Sequence, residues 1–229
     1  MGAEGVDPLT FERLSPSRFI SFSFPNPHSS LQIPYGDVLR VAVVDSPSFI
    51  PTSSPPAIAA ILVPHGREDD WIFSTAAGNF QLLLSFASPN LSLSRLVLIG
   101  DLPSPSASML RPFARPHPDN YSTSLNYFKE TLVPLLIALC PKAAFCKGVP
   151  SVPFLSYEDD VIRCTPVEKL VGPIVGEMLV EDVEIDASIA ARDIRRRLRF
   201  KRMPNLVQSQ VRLLPNPLKR ASFARILDH

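Results

Sequence analysis

The sequence predicts an α/β (or α+β) protein, built as a mixed β-sheet with flanking helices and followed by a β-rich region that ends in a hairpin. Three observations predict it. Residues 38–44, 58–63 and 96–99 are short, nearly continuous apolar runs, the pattern of strands buried on both faces. Helical spacing appears among and after them, most clearly over 121–139. Beyond residue 150 the apolar positions fall in short runs without a helical period, which reads as mostly strand.

In chain order, residues 1–17 read as a flexible arm. Residues 18–24 alternate: Phe19, Ser21 and Ser23 share one side and Ile20, Phe22 and Phe24 the other, until Pro25-Asn26-Pro27 ends the strand. The run 38–44, broken by Arg40, ends at Asp45-Ser46-Pro47, and 58–63 ends at Pro64. The Pro/Ser-rich link 48–56 reads as a solvated loop. The charged turn His65-Gly66-Arg67-Glu68-Asp69-Asp70 then leads into Trp71-Ile72-Phe73, with Phe80, Leu83, Leu84 and Ala87 at helical spacing. Gly100-Asp101 closes the strand 96–99. Residues 101–120 carry Pro103, Pro105, Pro112, Pro116 and Pro118 and read as an irregular insertion. In 121–139, Leu125, Phe128, Leu132, Leu135, Leu136 and Leu139 share a face, with a kink expected at Pro134. Residues 152–157, 161–164 and 174–185 read as strands. Residues 195–202 and 206–213 flank Met203-Pro204-Asn205 as a hairpin. The organisation expected is an arm at 1–17, a mixed domain at 18–173, a meander and hairpin at 174–214, and an unstructured tail at 215–229.

Composition bounds the function. The chain has 229 residues, 45% hydrophobic and 20% charged, enough to form a core, and its net charge of +1 argues against steering to nucleic acid or an anionic membrane by the overall field. Three cysteines, Cys140, Cys146 and Cys164, read as reduced thiols. No apolar run approaches a membrane span, and the first residues lack a signal-peptide core, so a cytoplasmic protein is expected. Proline is abundant at 25 and glycine sparse at 9.

That glycine count matters for cofactors. A dinucleotide or S-adenosylmethionine fold wants a strand, a glycine-rich turn and a helix. No two of the glycines form a G-x-G, and no P-loop pattern exists. The cysteines and His28, His65, His117 and His229 are scattered, so no metal-ligand set is expected. There is no G-x-S-x-G elbow, although Asp45-Ser46, His65 and Gly100-Asp101 follow strand ends and keep a small hydrolase with a dispersed Ser/His/Asp site as an alternative.

Two charged segments stand out as candidate partner-binding surfaces. One holds Arg67, Glu68 and Trp71, although acids in a first helical turn with Trp71 packed on the core are the favoured reading there. The other, 195–202, places Arg197, Arg199 and Lys201 on one side of a strand, with Leu198 and Phe200 on the other. It could serve an RNA-binding module. However, Glu177, Glu181, Asp182, Glu184 and Asp186 precede it, and antiparallel pairing would set acids against the arginines. No aromatic residues are interleaved on the arginine side, which argues against nucleic acid.

Several segments also resemble the region between the two catalytic domains of the methyltransferase-like protein thirteen family. They are Val43-Val44-Asp45-Ser46-Pro47, Leu62-Val63-Pro64-His65-Gly66-Arg67-Glu68-Asp69-Asp70-Trp71-Ile72-Phe73, Val152-Pro153-Phe154-Leu155-Ser156, Val180-Glu181-Asp182-Val183, Arg196-Arg197-Leu198-Arg199-Phe200 and Asn205-Leu206-Val207-Gln208-Ser209. The resemblance spans residues 40–213 and has a plant flavour. It implies a parent enzyme that methylates a lysine and the N-terminus of translation elongation factor one-alpha, with S-adenosylmethionine as methyl donor. It also implies a chain truncated before the parent's spermidine-synthase-like domain. No catalytic, cofactor-binding or metal-binding residue transfers, because those motifs are missing from this sequence. The expected role is therefore a non-catalytic accessory or substrate/partner-binding region that binds no cofactor itself. Its partner would be a methyltransferase domain, a second copy or elongation factor one-alpha.

Overall fold

The computed structural model describes residues 7–27, 35–48, 55–86, 93–102, 112–115, 122–157, 159–186 and 193–214. The tail 215–229, the first part of the arm, most of the insertion 101–120 and most of the link 48–56 lie outside the described residues.

The chain forms two five-stranded sheets. The first holds β1 (Phe19–Pro25), β2 (Val38–Asp45), β3 (Ala57–Leu62), β4 (Leu93–Asp101) and β6 (Phe154–Leu155), in the order β1-β2-β4-β3-β6. β3 runs parallel to β4 and β6, whereas β1–β2 and β2–β4 are antiparallel, so the sheet is mixed. The second is wholly antiparallel. It contains β5 (Phe113–Ala114), β7 (Val161–Gly172), β8 (Gly176–Ile185), β9 (Asp193–Phe200) and β10 (Met203–Arg212), in the order β10-β9-β8-β7-β5.

The continuous apolar runs arise because the first sheet is covered on both faces. Leu39, Val41, Val43, Val97 and Ile99 point into one cluster with Phe11, Phe128, Leu132 and Leu136. Ala42, Val44, Leu96 and Leu98 point into the other, with Phe73, Leu82 and Leu83. Each fully buried Leu, Val or Phe contributes about 1.5–3 kcal/mol relative to exposure.

The helices depart from expectation in three ways. First, 121–139 is two helices rather than one kinked helix: α3 (Ser122–Thr131) and α4 (Val133–Ala138). Pro134 lies in the first turn of α4, where its missing N–H costs nothing, and the chain breaks at Leu132. The predicted apolar face survives, with Phe128, Leu132, Leu136 and Leu139 buried. Second, the aromatic segment forms α1 (Trp71–Ser74) and α2 (Ala76–Ser85), and Leu84 is exposed. The buried face of α2 is Gly78, Asn79, Leu82 and Leu83 instead. Third, the described part of the arm is docked. Residues Pro8–Glu12 form a 3-10 turn that buries Phe11.

Two guanidiniums hold that arm, Arg95 and Arg18. Arg95 on β4 has no exposed surface and donates to Asp45 Oδ1 at 2.6 Å, to the Phe11 carbonyl at 2.8 Å and to the Leu139 carbonyl at 2.5 Å. Arg18 adds a second ion pair to Asp45 at 2.7 Å. Arm, strand and helix end thus share one buried guanidinium, which sequence periodicity does not reveal.

The hairpin also shifts. Its turn is Lys201-Arg202, and β10 already begins at Met203. Pro204 cannot donate to the ladder, so pairing passes from Met203 to Val207 through a register shift. Ile174, expected in a strand, lies in the β7–β8 turn and is 89% exposed.

Candidate functional site

The turn between β3 and α1 carries the densest chemistry. It leaves the carboxyl end of β3 beside the carboxyl end of parallel β4, where ligands gather in open α/β sheets. Its side chains diverge in two directions.

Toward the second sheet runs a chain of alternating charges. Asp70 caps α1, its Oδ1 accepting from the Ile72 N–H at 3.3 Å. The same carboxylate accepts from Arg67 at 2.7 Å and from both terminal nitrogens of Arg199 at 3.1 Å. Arg199 Nε continues to Glu181 Oε1 at 2.6 Å, which also accepts from Arg197 Nε at 2.6 Å. Cys164 donates to the other oxygen of Glu181 at 3.0 Å. Burial pushes the Asp70 carboxyl upward, but Arg199 and Arg67 outweigh it and hold the group well below the usual carboxylate range. Burial, then the Glu181 carboxylate, push the Cys164 thiol far up, so it is not a thiolate nucleophile.

Arg67 is the centre of this arrangement. It pairs with Asp159 at 2.6 Å, and its guanidinium lies 5.2–5.4 Å from the ring centroids of Phe73, Phe113 and Tyr157. An aromatic cage is therefore filled by the chain's own cation. Next to it opens a cleft of about 450 Å³ lined by Pro64, Arg67, Phe113, Arg115, Tyr157, Asp159, Asp160 and Asp186.

Toward β4 lies a second cluster. His65 Nδ1 is 3.5 Å from both Glu68 Oε1 and Asp101 Oδ2. Glu68 is buried and its two oxygens accept from the Gly66 N–H at 2.9 Å. Burial raises the Glu68 carboxyl, and Asp101 adds to the rise. Tyr35 closes one side, donating to the Val63 carbonyl at 2.9 Å with its ring edge-on to His65.

The candidate surface residues are thus mostly interior. Arg67, Glu68, Trp71 and Arg199 are 4–6% exposed. Arg197 and Arg199 spend their charge on Glu181, and Lys201 pairs with Glu177 at 2.8 Å. The expected antiparallel pairing is present, with Glu181 opposite Arg197 and Asp182 opposite Arg196. The Ser/His/Asp idea does not assemble from its named residues. Asp101 and Asp45 pair with opposite ends of the β2–β4 ladder, about 20 Å apart by strand rise, and Asp45 is consumed by Arg18 and Arg95. Spacing did not single out Asp159, Cys164 or the approach of Glu68 and Asp101 to His65. The one local signal was an acid three residues after a histidine in a strand-end turn.

No protein-family model matches the chain, and no solved structure matches it. Curated proteins do match. The chain is similar to the eEF1A lysine and N-terminal methyltransferase of Xenopus laevis, 29% identical over 176 residues, covering 76% of this chain and 21% of that protein. It is similar to the human protein of the same name, 29% identical over 189 residues, covering 81% and 23%. The Danio rerio protein of that name is 28% identical over 176 residues, covering 76% and 21%.

The chain's curated homologues are methyltransferases.

The resemblance read from the motifs of residues 40–213 therefore holds. The chain spans about a fifth of the length of the curated relatives it matches. Among the described residues no helix is long and apolar enough to cross a membrane.

Proposed function

We propose that this chain is a non-catalytic accessory region of an S-adenosylmethionine-dependent protein methyltransferase, serving to bind a partner or substrate and binding no S-adenosylmethionine itself. The observation that carries this reading is the closed entrance of α1. In a cofactor-binding turn the helix N-terminus offers free N–H groups to an anion and glycines let the backbone approach it. Here the Asp70 carboxylate occupies the helix start and is itself locked by two arginines. The glycines nearby serve internal packing. A Cβ at Gly78 would lie 2.3 Å from the Trp71 carbonyl oxygen, and one at Gly100 would lie 2.7 Å from Val63 Cβ. These residues do not fit S-adenosylmethionine.

Support for a binding role comes from the second sheet. Among the described residues β10 is an edge strand with one neighbour in its sheet, and such an edge is a template for another chain. Val171, Ile174, Leu206, Val211 and Leu214 are exposed apolar residues on this sheet and its turns. The partner classes that fit are a methyltransferase domain, a second copy, or eEF1A, which the relatives' names give as their substrate.

The test is a transfer assay with tritiated S-adenosylmethionine and purified eEF1A. The chain alone should transfer no label above a protein-free control. Stoichiometric labelling of eEF1A by the purified chain would overturn the reading.

A further inference from the structure

We propose that His65, Glu68 and Asp101 form a binding site for a divalent cation of the Zn²⁺ class, at the carboxyl ends of β3 and β4. The inference goes beyond the accessory role and does not depend on it.

The geometry points to a metal rather than to hydrogen bonding. His65 Nδ1 sits 3.5 Å from one oxygen of Glu68 and 3.5 Å from one of Asp101. That is long for a hydrogen bond, which prefers about 2.7–3.2 Å. Ligands held about 2.1 Å from a tetrahedral Zn²⁺ lie about 3.4 Å from one another. The three donor atoms all fall within 4.8 Å of each other. One imidazole and two carboxylates suit Zn²⁺ better than Mg²⁺ or Ca²⁺, which favour all-oxygen sets.

Charge gives an independent reason. Glu68 is almost wholly buried and Asp101 is largely so, with side-chain exposures of 4% and 17%. Among the described residues, His65 is the one basic side chain within 4 Å of either carboxylate. The neighbouring Arg67 turns the other way, to Asp70 and Asp159. Two adjacent carboxylates with so little compensation are costly to bury. A divalent cation would balance the two negative charges.

The donors are also aimed. Asp101 Oδ1 accepts from the Gly36 N–H at 2.7 Å, which turns Oδ2 toward His65. The edge-on Tyr35 ring flanks the imidazole. His65 is 44% exposed, so a bound ion would keep at least one position open to water.

The experiment uses the full chain, freed of metal with a chelator and titrated with Co²⁺ by visible absorption and with Zn²⁺ by calorimetry. The expected result is one ion per chain, four-coordinate Co²⁺ bands, and a rise in Tm with Zn²⁺ that Mg²⁺ does not give. His65→Ala and Asp101→Asn should each weaken binding roughly tenfold or more. His65→Ala removes the one side chain paired with both carboxylates, so the comparison rests on the rise in Tm that Zn²⁺ adds to each variant's own metal-free value. The proposal is overturned if the wild type binds no stoichiometric Zn²⁺. It is equally overturned if both variants bind as tightly as the wild type, which would assign the ion to other groups such as the exposed Cys146.

Discussion

Asp70, at the head of α1, accepts hydrogen bonds from Arg199 of β9 at 3.1 Å, joining the two sheets across 129 positions of sequence. The contact is shielded from water, and the same carboxylate also neutralises Arg67.

Removing the Asp70 charge leaves Arg67 with Asp159 and Arg199 with Glu181 as their remaining carboxylates. Asp70→Asn should cost about 1–3 kcal/mol, the usual range for losing charge-assisted hydrogen bonds away from water. Asp182→Asn is the control. Its pair with Arg196 is solvent-facing, with side chains 26% and 45% exposed, and its loss should cost under about 1 kcal/mol. Urea denaturation of both variants distinguishes the cases. Equal midpoints would contradict the placement of the Asp70 network in the interior.

The same carboxylate sets an acid limit. Its folded pKa lies below its unfolded value, since Arg199 and Arg67 overcome burial. Its stabilisation is therefore complete above the unfolded pKa of about 3.9 and is lost as pH falls below that toward the folded value. The stability of wild type should drop between about pH 4 and pH 2 more steeply than that of Asp70→Asn. Parallel pH profiles would count against the linkage.

Gly78 offers a test of sign. Gly→Ala within a helix ordinarily gains about 1 kcal/mol. Here the added Cβ would meet the Trp71 carbonyl at 2.3 Å and Ile72 Cα at 2.6 Å, both backbone atoms that cannot swing aside. Gly78→Ala should instead destabilise by about 1–3 kcal/mol. Thermal unfolding shows which sign holds.

The basic strand makes a contrary prediction. Arg197, Arg199 and Lys201 are each paired with an acid of β8. Fluorescence anisotropy with labelled single-stranded RNA should show no binding at physiological salt. Salt-sensitive binding that disappears on changing the three to Ala would restore the RNA-binding reading.

Strands β2, β3 and β4 were legible because burial on both faces leaves an unbroken apolar run. The acid–arginine pairing of β8 and β9 was legible because a run of acids precedes a run of arginines, and antiparallel pairing sets the two opposite each other. The role of Arg95 was not, because a lone arginine in a strand carries no sign that three chain segments converge on it. Nor was the meeting of His65 and Asp101, which depends on β3 and β4 being parallel neighbours although 36 positions separate the two residues. Periodicity reports which face is buried, whereas polar constellations depend on which strands become neighbours. The surface reading of Arg67 and Trp71 met the same limit, since a charged turn looks solvated until its partners are known.

The most direct test of the accessory role is calorimetric titration of the purified chain with S-adenosylmethionine. The closed entrance of α1 predicts no saturable heat across concentrations that load an authentic methyltransferase domain. A one-to-one isotherm with a micromolar Kd, retained in Asp70→Asn, would contradict it.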